Sequence, residues 1–322
     1  MNLKNKEILV TGGTGFIGSA IVNKLINMNC KVNIISLPDD YVWRIEKKEE
    51  CKFFYVNLLN FNETLKCIKA INPEIIFHLA GIVTPETDFK TIQKAFSVNF
   101  DGTKNLILSL NDLDYDLLIN TGTGNEYGGN ISPLKESERE NPVTPYSASK
   151  VAGTYFCEMI ATVYNQPIIT VRPFLTYGPK QLAKFFVPWL IYCAIEKKEI
   201  SLTQCQQTRD FVYIDDIADA YVLLAENVDK VRSKGIFNIG SGKETKLIDI
   251  VNIIKNRFNS AKIRIGEQPY RKGESMRFYS SIDKITELIG WAPKWTIEDG
   301  INKTIDWWLN NKDVWNRYKD IF

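Results

Sequence analysis

The 322-residue sequence predicts an α/β fold in which a doubly wound parallel sheet is followed by a smaller mixed α/β lobe. Short apolar segments alternate with helix-length segments through the first half of the chain, which is typical of a parallel sheet covered on both faces. A glycine-rich turn joins the first strand to the first helix. After Arg172 and Pro173 the alternation ends, and prolines and tryptophans recur through the remaining sequence. We therefore expect a second lobe beyond residue 173.

Six strands are predicted in the first half, because each is a short apolar run with the length of a buried strand. They cover residues 7–11, 31–36, 53–56, 75–79, 117–121 and 167–171. Most of the segments between them are long enough for a helix, and the clearest helices cover residues 16–28, 61–70 and 96–110.

The composition excludes several classes of function. A net charge of +2 provides no field strong enough to indicate a nucleic-acid partner. His78 is the only histidine, which excludes a Ser-His-Asp triad and a histidine-cluster metal centre. The six cysteines have no metal-type spacing, so we expect reduced thiols, no metal and a cytoplasmic protein. No signal peptide fits the N-terminus, and no apolar run reaches the roughly 18 residues of a membrane span, so no membrane partner is expected.

The glycine-rich turn at residues 11–18 predicts a dinucleotide site. Gly12, Gly15 and Gly18 follow the first strand and open a helix that begins at Phe16. Glycine lets such a turn tighten and lets backbone N–H groups approach a pyrophosphate at the helix N-terminus. The spacing differs slightly from G-x-G-x-x-G, and a tight turn without a ligand is the alternative interpretation. A strand, turn and helix in this order favour the dinucleotide.

Ser36 ends the second strand, where an acidic residue would hold the ribose 2′-hydroxyl of NAD. Without that carboxylate a 2′-phosphate is not repelled, which favours NADP slightly. No arginine follows immediately, since Arg44 is the first, and Asp39 or Asp40 is an alternative ribose ligand. The choice between NAD and NADP stays open at this point.

Tyr146 and Lys150 are four residues apart, so a helix would place them on one face. Thr144 is the predicted N-cap of that helix and Pro145 its first residue. A free phenol titrates near pH 10, and the ammonium group, the helix dipole and an oxidised nicotinamide would each lower that pKa. Beside the glycine turn, this pair indicates an enzyme that moves a proton and a hydride at an alcohol or ketone. An exposed, structural pair is the alternative.

With these features the chain resembles the extended short-chain dehydrogenase/reductase superfamily, whose members are nucleotide-sugar epimerases, dehydratases and reductases with a Rossmann-type sheet. The resemblance implies that Tyr146 is the general acid/base, that Lys150 tunes its pKa and binds ribose, and that Thr123, four residues before the Tyr127–Gly128 pair, orients the reacting oxygen. His78 is interpreted as structural. The matching motifs cover residues 11–18, 78–81, 98–103, 146–150, 209–216 and 238–242.

The same resemblance implies two sets of ligand contacts. Arginines suit the substrate diphosphate because the planar guanidinium binds phosphate oxygens in pairs, although a surface salt bridge is the alternative for each. The implied cofactor contacts are Gly12, Gly15, Phe16, Ile17, Gly18, Ser36, Asn57, Leu58, Leu79, Ala80, Gly81, Asn99, Thr121, Tyr146, Lys150 and Pro173. The implied substrate contacts are Thr84, Asn125, Thr176, Phe186, Val187, Arg209, Arg271 and Arg277, and Phe185 belongs to the segment that packs on the base.

Two departures from the superfamily bear on the reaction. Its dehydratases carry Asp-Glu directly after the catalytic threonine, whereas this chain has Gly124 and Asn125, and Glu126 lies one position late unless the loop shifts. We therefore disfavour a 4,6-dehydratase. Leu175 stands where an asparagine usually contacts the sugar diphosphate.

Three reactions remain for a nucleotide-sugar substrate: reduction of a 4-keto sugar, epimerisation at C4, and dehydrogenation at C4. Ser36 tips the sequence interpretation slightly towards a reductase using NAD or NADP. A dinucleotide-binding sensor or scaffold is the alternative that is not an enzyme.

The resemblance also implies an organisation for the whole chain. Residues 1–173 are expected to form the dinucleotide-binding domain, with residues 205–232 returning to it, and residues 174–322 to form mainly the nucleotide-sugar-binding lobe. A homodimer is expected through two helical regions, at residues 89–110 and 146–164.

Overall fold

The structure of the protein is a computed structural model. Seven parallel strands form its central sheet. The structure describes residues 1–38, 40–259, 261–271 and 273–318. The strands of the sheet are β1 (Glu7–Thr11), β2 (Lys31–Ser36), β3 (Cys51–Tyr55), β4 (Ile75–His78), β5 (Leu117–Thr121), β6 (Ile168–Pro173) and β11 (Ile236–Ile239). Their spatial order is β11-β6-β5-β4-β1-β2-β3, and each neighbouring pair is parallel. The doubly wound sheet predicted from the sequence is confirmed.

Helices cover both faces of this sheet, and the outer elements form a second lobe. The helices are α1 (Phe16–Asn27), α2 (Phe61–Ile71), α3 (Phe89–Phe96), α4 (Gly102–Ser109), α5 (Pro145–Val163), α6 (Phe186–Ile195), α7 (Ile214–Glu226), α8 (Val228–Val231), α9 (Leu247–Arg257), α10 (Asp283–Ile289), α11 (Ile297–Asn310) and α12 (Lys312–Tyr318). The remaining short strands are β7 (Leu175–Tyr177), β8 (Glu199–Leu202), β9 (Thr208–Arg209), β10 (Phe211–Tyr213), β12 (Thr245–Lys246) and β13 (Lys262–Ile265).

The apolar character of β1 follows from burial on both sides. Successive strand residues point to opposite faces. Ile8 and Val10 belong to the core beneath α1 and α7, whereas Leu9 belongs to the core beneath α2, α4 and α5. Neither face is left to solvent, so the strand carries no polar alternation.

The predicted helix at residues 96–110 is part of a longer, interrupted element. Asp88 caps α3 by accepting a hydrogen bond from the Thr91 amide at 2.9 Å. A π-helical turn at Ser97–Asp101 then separates α3 from α4. The apolar residues Phe89, Ile92 and Phe96 already recur at helical spacing in α3, so the helix starts earlier than residue 96, within the helical region at residues 89–110 that was expected for the dimer.

The second lobe has its own apolar core. Leu190 of α6, Ile250 of α9 and Ile301 of α11 are wholly buried there, next to the parallel pair β8 and β13. Strand β11 returns to the central sheet from beyond residue 232, outside the returning segment expected from the sequence. The division of the chain into two domains stays a prediction. No helix in the described ranges is both long enough and apolar enough to cross a lipid bilayer.

Candidate active site

The glycine turn packs directly against the end of β4. Gly12 has φ +69°, and a Cβ on it would lie 2.8 Å from the backbone nitrogen of Ala80. A Cβ on Gly18 would collide with the carbonyl oxygen of Gly12, so only glycine lets α1 approach the turn this closely. Helix α1 begins without a side-chain cap. Its first N–H groups are therefore available to an anion at the helix N-terminus.

A cleft of about 440 Å³ runs from this turn along the C-terminal ends of β1, β4, β5 and β6. Open α/β sheets bind ligands at this edge. The cleft brings together residues predicted for the cofactor, for catalysis and for the substrate. Of the predicted site residues, those that line it are Gly12, Gly15, Phe16, Ile17, Gly18, Leu79, Gly81, Thr121, Thr123, Asn125, Tyr146, Lys150, Pro173, Thr176 and Phe185.

Tyr146 lies at the bottom of the cleft, in the first turn of α5. Thr144 caps this helix by accepting a hydrogen bond from the Ser147 amide at 3.1 Å, and Pro145 is its first residue, as predicted. The Tyr146 side chain is 8% exposed, and its hydroxyl is hydrogen-bonded to Thr123. Nζ of Lys150 donates to the carbonyl oxygen of Thr121 at 2.9 Å. The three predicted catalytic side chains thus meet in one buried place.

Burial has the largest effect on the pKa values of Tyr146 and Lys150. It raises the pKa of Tyr146 to about 12, and the hydrogen bond from Thr123 opposes the rise only in part. It lowers the pKa of Lys150 to about 8, with the charge of Glu126 acting in the opposite direction. The sequence analysis expected a lowered pKa for the Tyr146 phenol, whereas the residues of the protein raise it. A positive charge at the site would be needed to bring the phenol pKa down.

His78 is buried, and both of its ring nitrogens are hydrogen-bonded. Thr103 donates its hydroxyl proton to the Asn99 carbonyl oxygen, so His78 Nε2 donates to Thr103 Oγ1 at 2.9 Å. Nδ1 then accepts from Thr11 Oγ1 at 2.7 Å. Burial lowers the pKa of His78 to about 3, so the ring is neutral. These contacts agree with the structural interpretation of this histidine.

Ser36, a predicted cofactor contact, lies at the end of β2 and is not among the residues that line the cleft. Its Oγ is buried and has no hydrogen-bond partner within the described ranges. An orphaned hydroxyl here fits a ribose hydroxyl of a dinucleotide lying on the glycine turn. Arg44 also lines the cleft, and its guanidinium donates to the carbonyl oxygens of Thr14 at 3.2 Å and Lys180 at 3.1 Å. Asp39 and the side chain of Asp40, the alternative ribose ligands, lie outside the described residues.

Other predicted cofactor contacts lie behind the cleft and shape it. Asn99 accepts from the Ile82 amide at 2.8 Å and donates to Ser149 Oγ at 2.9 Å, which joins the loop after β4 to α5. Ala80 donates its amide to Thr11 Oγ1. Asn57 Oδ1 accepts from the Leu59 amide, and Leu58 is buried. Their roles in cofactor binding stay predictions.

Several predicted substrate contacts lie apart from the cleft. Val187 is buried in the core of the second lobe, against which Phe186 also packs. Arg209 is paired with Glu274, and the exposed Arg277 is paired with Glu244 at 2.7 Å. Thr84 donates to Glu86, and Arg271 is exposed. These residues do not line the cleft, so their substrate roles stay predictions.

Glu126 does not face the cleft, which removes the loop shift that a dehydratase would need. Its side chain is wholly buried, and its carboxylate accepts hydrogen bonds from the Thr123 amide at 2.9 Å and from Arg172 Nε at 2.8 Å. Gly124 and Asn125 occupy the two positions beside Thr123 instead. An acid and base for eliminating water are therefore missing from those positions.

The cleft also contains residues that the sequence analysis did not assign to it. Gln181 and Lys184 come from the loop before α6, and Tyr41 and Arg44 come from the 3₁₀ turn after β2. Neither segment has a periodic pattern of apolar residues, so residue spacing alone does not predict that these side chains reach the cleft. The sequence signal that could have indicated it is their position, because each segment follows a strand that ends at this edge.

A glycine turn after β1 and a buried threonine, tyrosine and lysine at the same sheet edge define an extended short-chain dehydrogenase/reductase. The profile of the NAD dependent epimerase/dehydratase family matches residues 8–240 of the chain. The chain belongs to this family and is an NAD(P)-dependent enzyme of nucleotide-sugar metabolism. The resemblance noted from the sequence is confirmed.

The chain is similar over most of its length to other members of the family. It is 30% identical over 315 residues to a putative UDP-glucose 4-epimerase of Methanocaldococcus jannaschii, covering 94% of this chain and 99% of that one. It is 29% identical to the dTDP-glucose 4,6-dehydratase of Escherichia coli, with 98% and 96% of the two chains covered. The UDP-glucuronic acid 4-epimerase of Bacillus cereus, solved with UDP-glucuronic acid and NAD, has a TM-score of 0.84, with 26% identity and coverage of 94% and 99%.

Proposed function

We propose that the enzyme binds NAD in this cleft and interconverts C4 epimers of a pyrimidine nucleoside diphosphate sugar, with a UDP-sugar as the first candidate. The observation that carries this proposal is the buried Tyr146 hydroxyl, hydrogen-bonded to Thr123 and placed between the glycine turn and open cleft volume. Similar proteins named for their substrates act on UDP-, dTDP- or CDP-sugars, which share a pyrimidine base. Epimerases at C4 are prominent among them.

The cleft residues fit a dinucleotide. The uncapped start of α1 and the glycine turn would hold the pyrophosphate, Ser36 the adenosine ribose, and Lys150 the nicotinamide ribose. When bound, NAD supplies a hydride acceptor and the positive charge of its oxidised nicotinamide. That charge would lower the pKa of Tyr146 from its value in the protein alone.

The chain's own residues would move the proton. Tyr146, as the phenolate, accepts the proton of the C4 hydroxyl and later returns it to the carbonyl oxygen. Thr123 donates a hydrogen bond to the same oxygen and so keeps it beside the phenol. Lys150 stabilises the phenolate by its charge. Burial of all three excludes water from the ketone that forms between the two steps.

The walls of the cleft favour an epimerase because the sugar ring must turn over between the two steps. Leu175 lines the cleft where related enzymes usually have an asparagine, and Ile82, Val83 and Phe174 are close by. Apolar contacts do not select one face of a ring, whereas a hydrogen-bonding side chain does. An anchored diphosphate and an apolar wall together would let the keto sugar rotate.

We propose NAD rather than NADP as the cofactor, although Ser36 slightly favoured NADP in the sequence analysis. Arg44 is the nearest arginine along the chain, and two of its guanidinium N–H groups already donate to the carbonyl oxygens of Thr14 and Lys180. A 2′-phosphate would need such a cation, because burying it without a partner is costly.

The test is incubation of the purified enzyme with UDP-glucose, UDP-galactose, UDP-N-acetylglucosamine or UDP-glucuronate, each with NAD, followed by proton NMR of the nucleotide sugar. We expect one of them to equilibrate with its C4 epimer without net formation of NADH. Tyr146→Phe should abolish this interconversion and leave NAD binding intact. Undiminished turnover by Tyr146→Phe would contradict the assignment of the acid/base.

The second candidate is a 4-keto-sugar reductase, which Ser36 favours because a serine there does not repel the 2′-phosphate of NADPH. It predicts consumption of one NADPH per molecule of a dTDP-4-keto-6-deoxy sugar. Stoichiometric loss of absorbance at 340 nm with that substrate, and no epimer with the UDP-sugars, would replace the epimerase proposal.

We also propose that the enzyme forms a homodimer through α3 and α5. Phe89 and Ile92 of α3 and Tyr155, Met159 and Val163 of α5 are large apolar side chains exposed to solvent. An exposed apolar face of this kind is typical of a protein interface. Analytical ultracentrifugation should give the mass of two chains, and Met159→Glu should shift it towards one.

A further inference from the structure

A buried ionic cluster lies beneath the loop that carries Thr123. Arg172 of β6 and Glu126 are both wholly buried, and Arg172 Nε donates to Glu126 Oε2 at 2.8 Å. The other side of the guanidinium contacts the carboxylate of Glu140, which is 7% exposed. The ring of Tyr127 stacks on the same guanidinium, with its centroid 4.6 Å away.

Such a cluster is costly to bury. Removing charges from water carries a desolvation penalty that often exceeds the attraction between them, and apolar side chains of similar size can be equally stable. Stability alone is therefore a weak reason for an arginine and two glutamates at this position. Their geometry indicates a second role.

The Glu126 carboxylate joins three separate parts of the site. Oε1 accepts from the amide of Thr123 at 2.9 Å. Oε2 accepts from Thr154 Oγ1 at 3.0 Å as well as from Arg172. Thr154 lies on α5, four residues after Lys150, on the helix that also carries Tyr146. One side chain thus ties the Thr123 loop, the catalytic helix and strand β6 together.

We propose that Glu126 is a positioning residue, whose carboxylate, held by Arg172, fixes the Thr123 loop against α5 so that the Thr123 hydroxyl meets the Tyr146 phenol. This inference rests on the proposed catalytic roles of Thr123 and Tyr146. Glu126 itself does not line the cleft and transfers no proton. Its effect passes through the backbone of Thr123 and the side chain of Thr154.

The charge of Glu126 acts on the same groups. Burial has the largest effect on the pKa of Tyr146, followed by the hydrogen bond from Thr123, and the negative charge of Glu126 raises that pKa further. The same charge also raises the pKa of Lys150. Glu140 does not act on either group in this way. The titratable and charged groups around Glu126 are Arg172 on β6, Tyr146, Lys150 and Cys157 on α5, and Tyr127 and Glu140 on the loops.

The test compares Glu126→Gln with Glu140→Gln as its matched control. Each removes one carboxylate charge from the same buried guanidinium, but only the first touches the Thr123 amide. The measurements are kcat, KM and the pH dependence of kcat with the nucleotide sugar that the wild type turns over, together with NAD affinity and thermal unfolding.

For Glu126→Gln we expect kcat to fall by about 10- to 100-fold, as for small misplacements of a catalytic group. KM and NAD affinity should stay within about twofold of wild type, because the ligand-binding walls are unchanged. The rise of kcat with pH should shift to lower pH, since a negative charge near the phenol is gone. Glu140→Gln should show neither change.

Equal kcat values and equal pH profiles for the two variants would overturn the proposal and leave a merely structural cluster. That outcome is distinct from failure of the proposed function, which Tyr146→Phe tests separately. If Glu126→Gln does not fold, Thr154→Val removes one hydrogen bond from the carboxylate while keeping every charge. It should then lower kcat with KM unchanged, and wild-type kcat would reject the proposal.

Discussion

Replacement of Gly12 by alanine should weaken both the fold and the dinucleotide site. The φ of +69° at this position costs an alanine about 1–2 kcal/mol. The added Cβ would lie 2.8 Å from the nitrogen and 2.9 Å from the Cα of Ala80, whereas ordinary contacts begin near 3.4 Å. The turn and the end of β4 must separate by about 0.5 Å, and overpacking of this kind costs about 1–3 kcal/mol. The combined loss is about 2–5 kcal/mol.

Gly153 provides the matched control, because a Cβ there meets nothing closer than 3.7 Å. It lies inside α5, where alanine is better than glycine by about 1 kcal/mol. The same chemical change should therefore destabilise at one position and stabilise at the other.

Thermal unfolding and calorimetric titration with NAD measure both effects. At about 2 °C per kcal/mol for a chain of this size, Gly12→Ala should lower Tm by about 4–10 °C and Gly153→Ala should raise it by about 2 °C. The Kd for NAD should increase by about tenfold or more in Gly12→Ala, which corresponds to about 1.4 kcal/mol. A Gly12→Ala protein with wild-type Tm and wild-type NAD affinity would refute the reasoning.

Three further predictions concern single side chains. Ser36→Asp should weaken the binding of NADP relative to that of NAD by about tenfold or more, because the new carboxylate and a 2′-phosphate about 4 Å away repel each other by about 1–4 kcal/mol. An unchanged ratio of the two dissociation constants would place the ribose elsewhere. His78 is neutral in the folded protein with a pKa of about 3, so an unfolded chain binds its proton more readily, and stability should fall as pH drops from about 6.5 towards 3. Urea unfolding across that range should show a shallower loss in His78→Gln, by up to about 1.4 kcal/mol per pH unit. Ile250→Ala should cost about 2–5 kcal/mol in urea unfolding by leaving a cavity in the second lobe, and a cost below about 1 kcal/mol would contradict the close packing there.

The strands and the cofactor turn were predictable because their signals are local. Residues 7–11, 31–36 and 117–121 were predicted with the bounds that the structure has, since a strand buried on both faces is apolar throughout. The cap at Thr144 and the start of α5 at Pro145 were equally predictable, because capping depends on neighbours along the chain. The α3–α4 element was predicted only in part, because its helical character was expected but the π-helical turn at Ser97–Asp101 that interrupts it has no signal in the spacing of apolar residues.

The catalytic side chains were named from the sequence, but their ionisation was not. Burial sets the pKa of Tyr146 and Lys150, and burial depends on what packs around α5 from distant parts of the chain. Distance along the chain also hid the second role of Glu126. From sequence it was one position away from a dehydratase carboxylate, while its partner Arg172 is 46 residues away.

The sequence by itself determined the class of enzyme, because glycine spacing and a tyrosine–lysine pair act within single turns of the chain. Only the tertiary structure decided which side chains share the cleft, which carboxylate points away from it and how strongly the phenol holds its proton. Those properties arise from close approach and from exclusion of water, and both require elements that are remote in sequence to pack together.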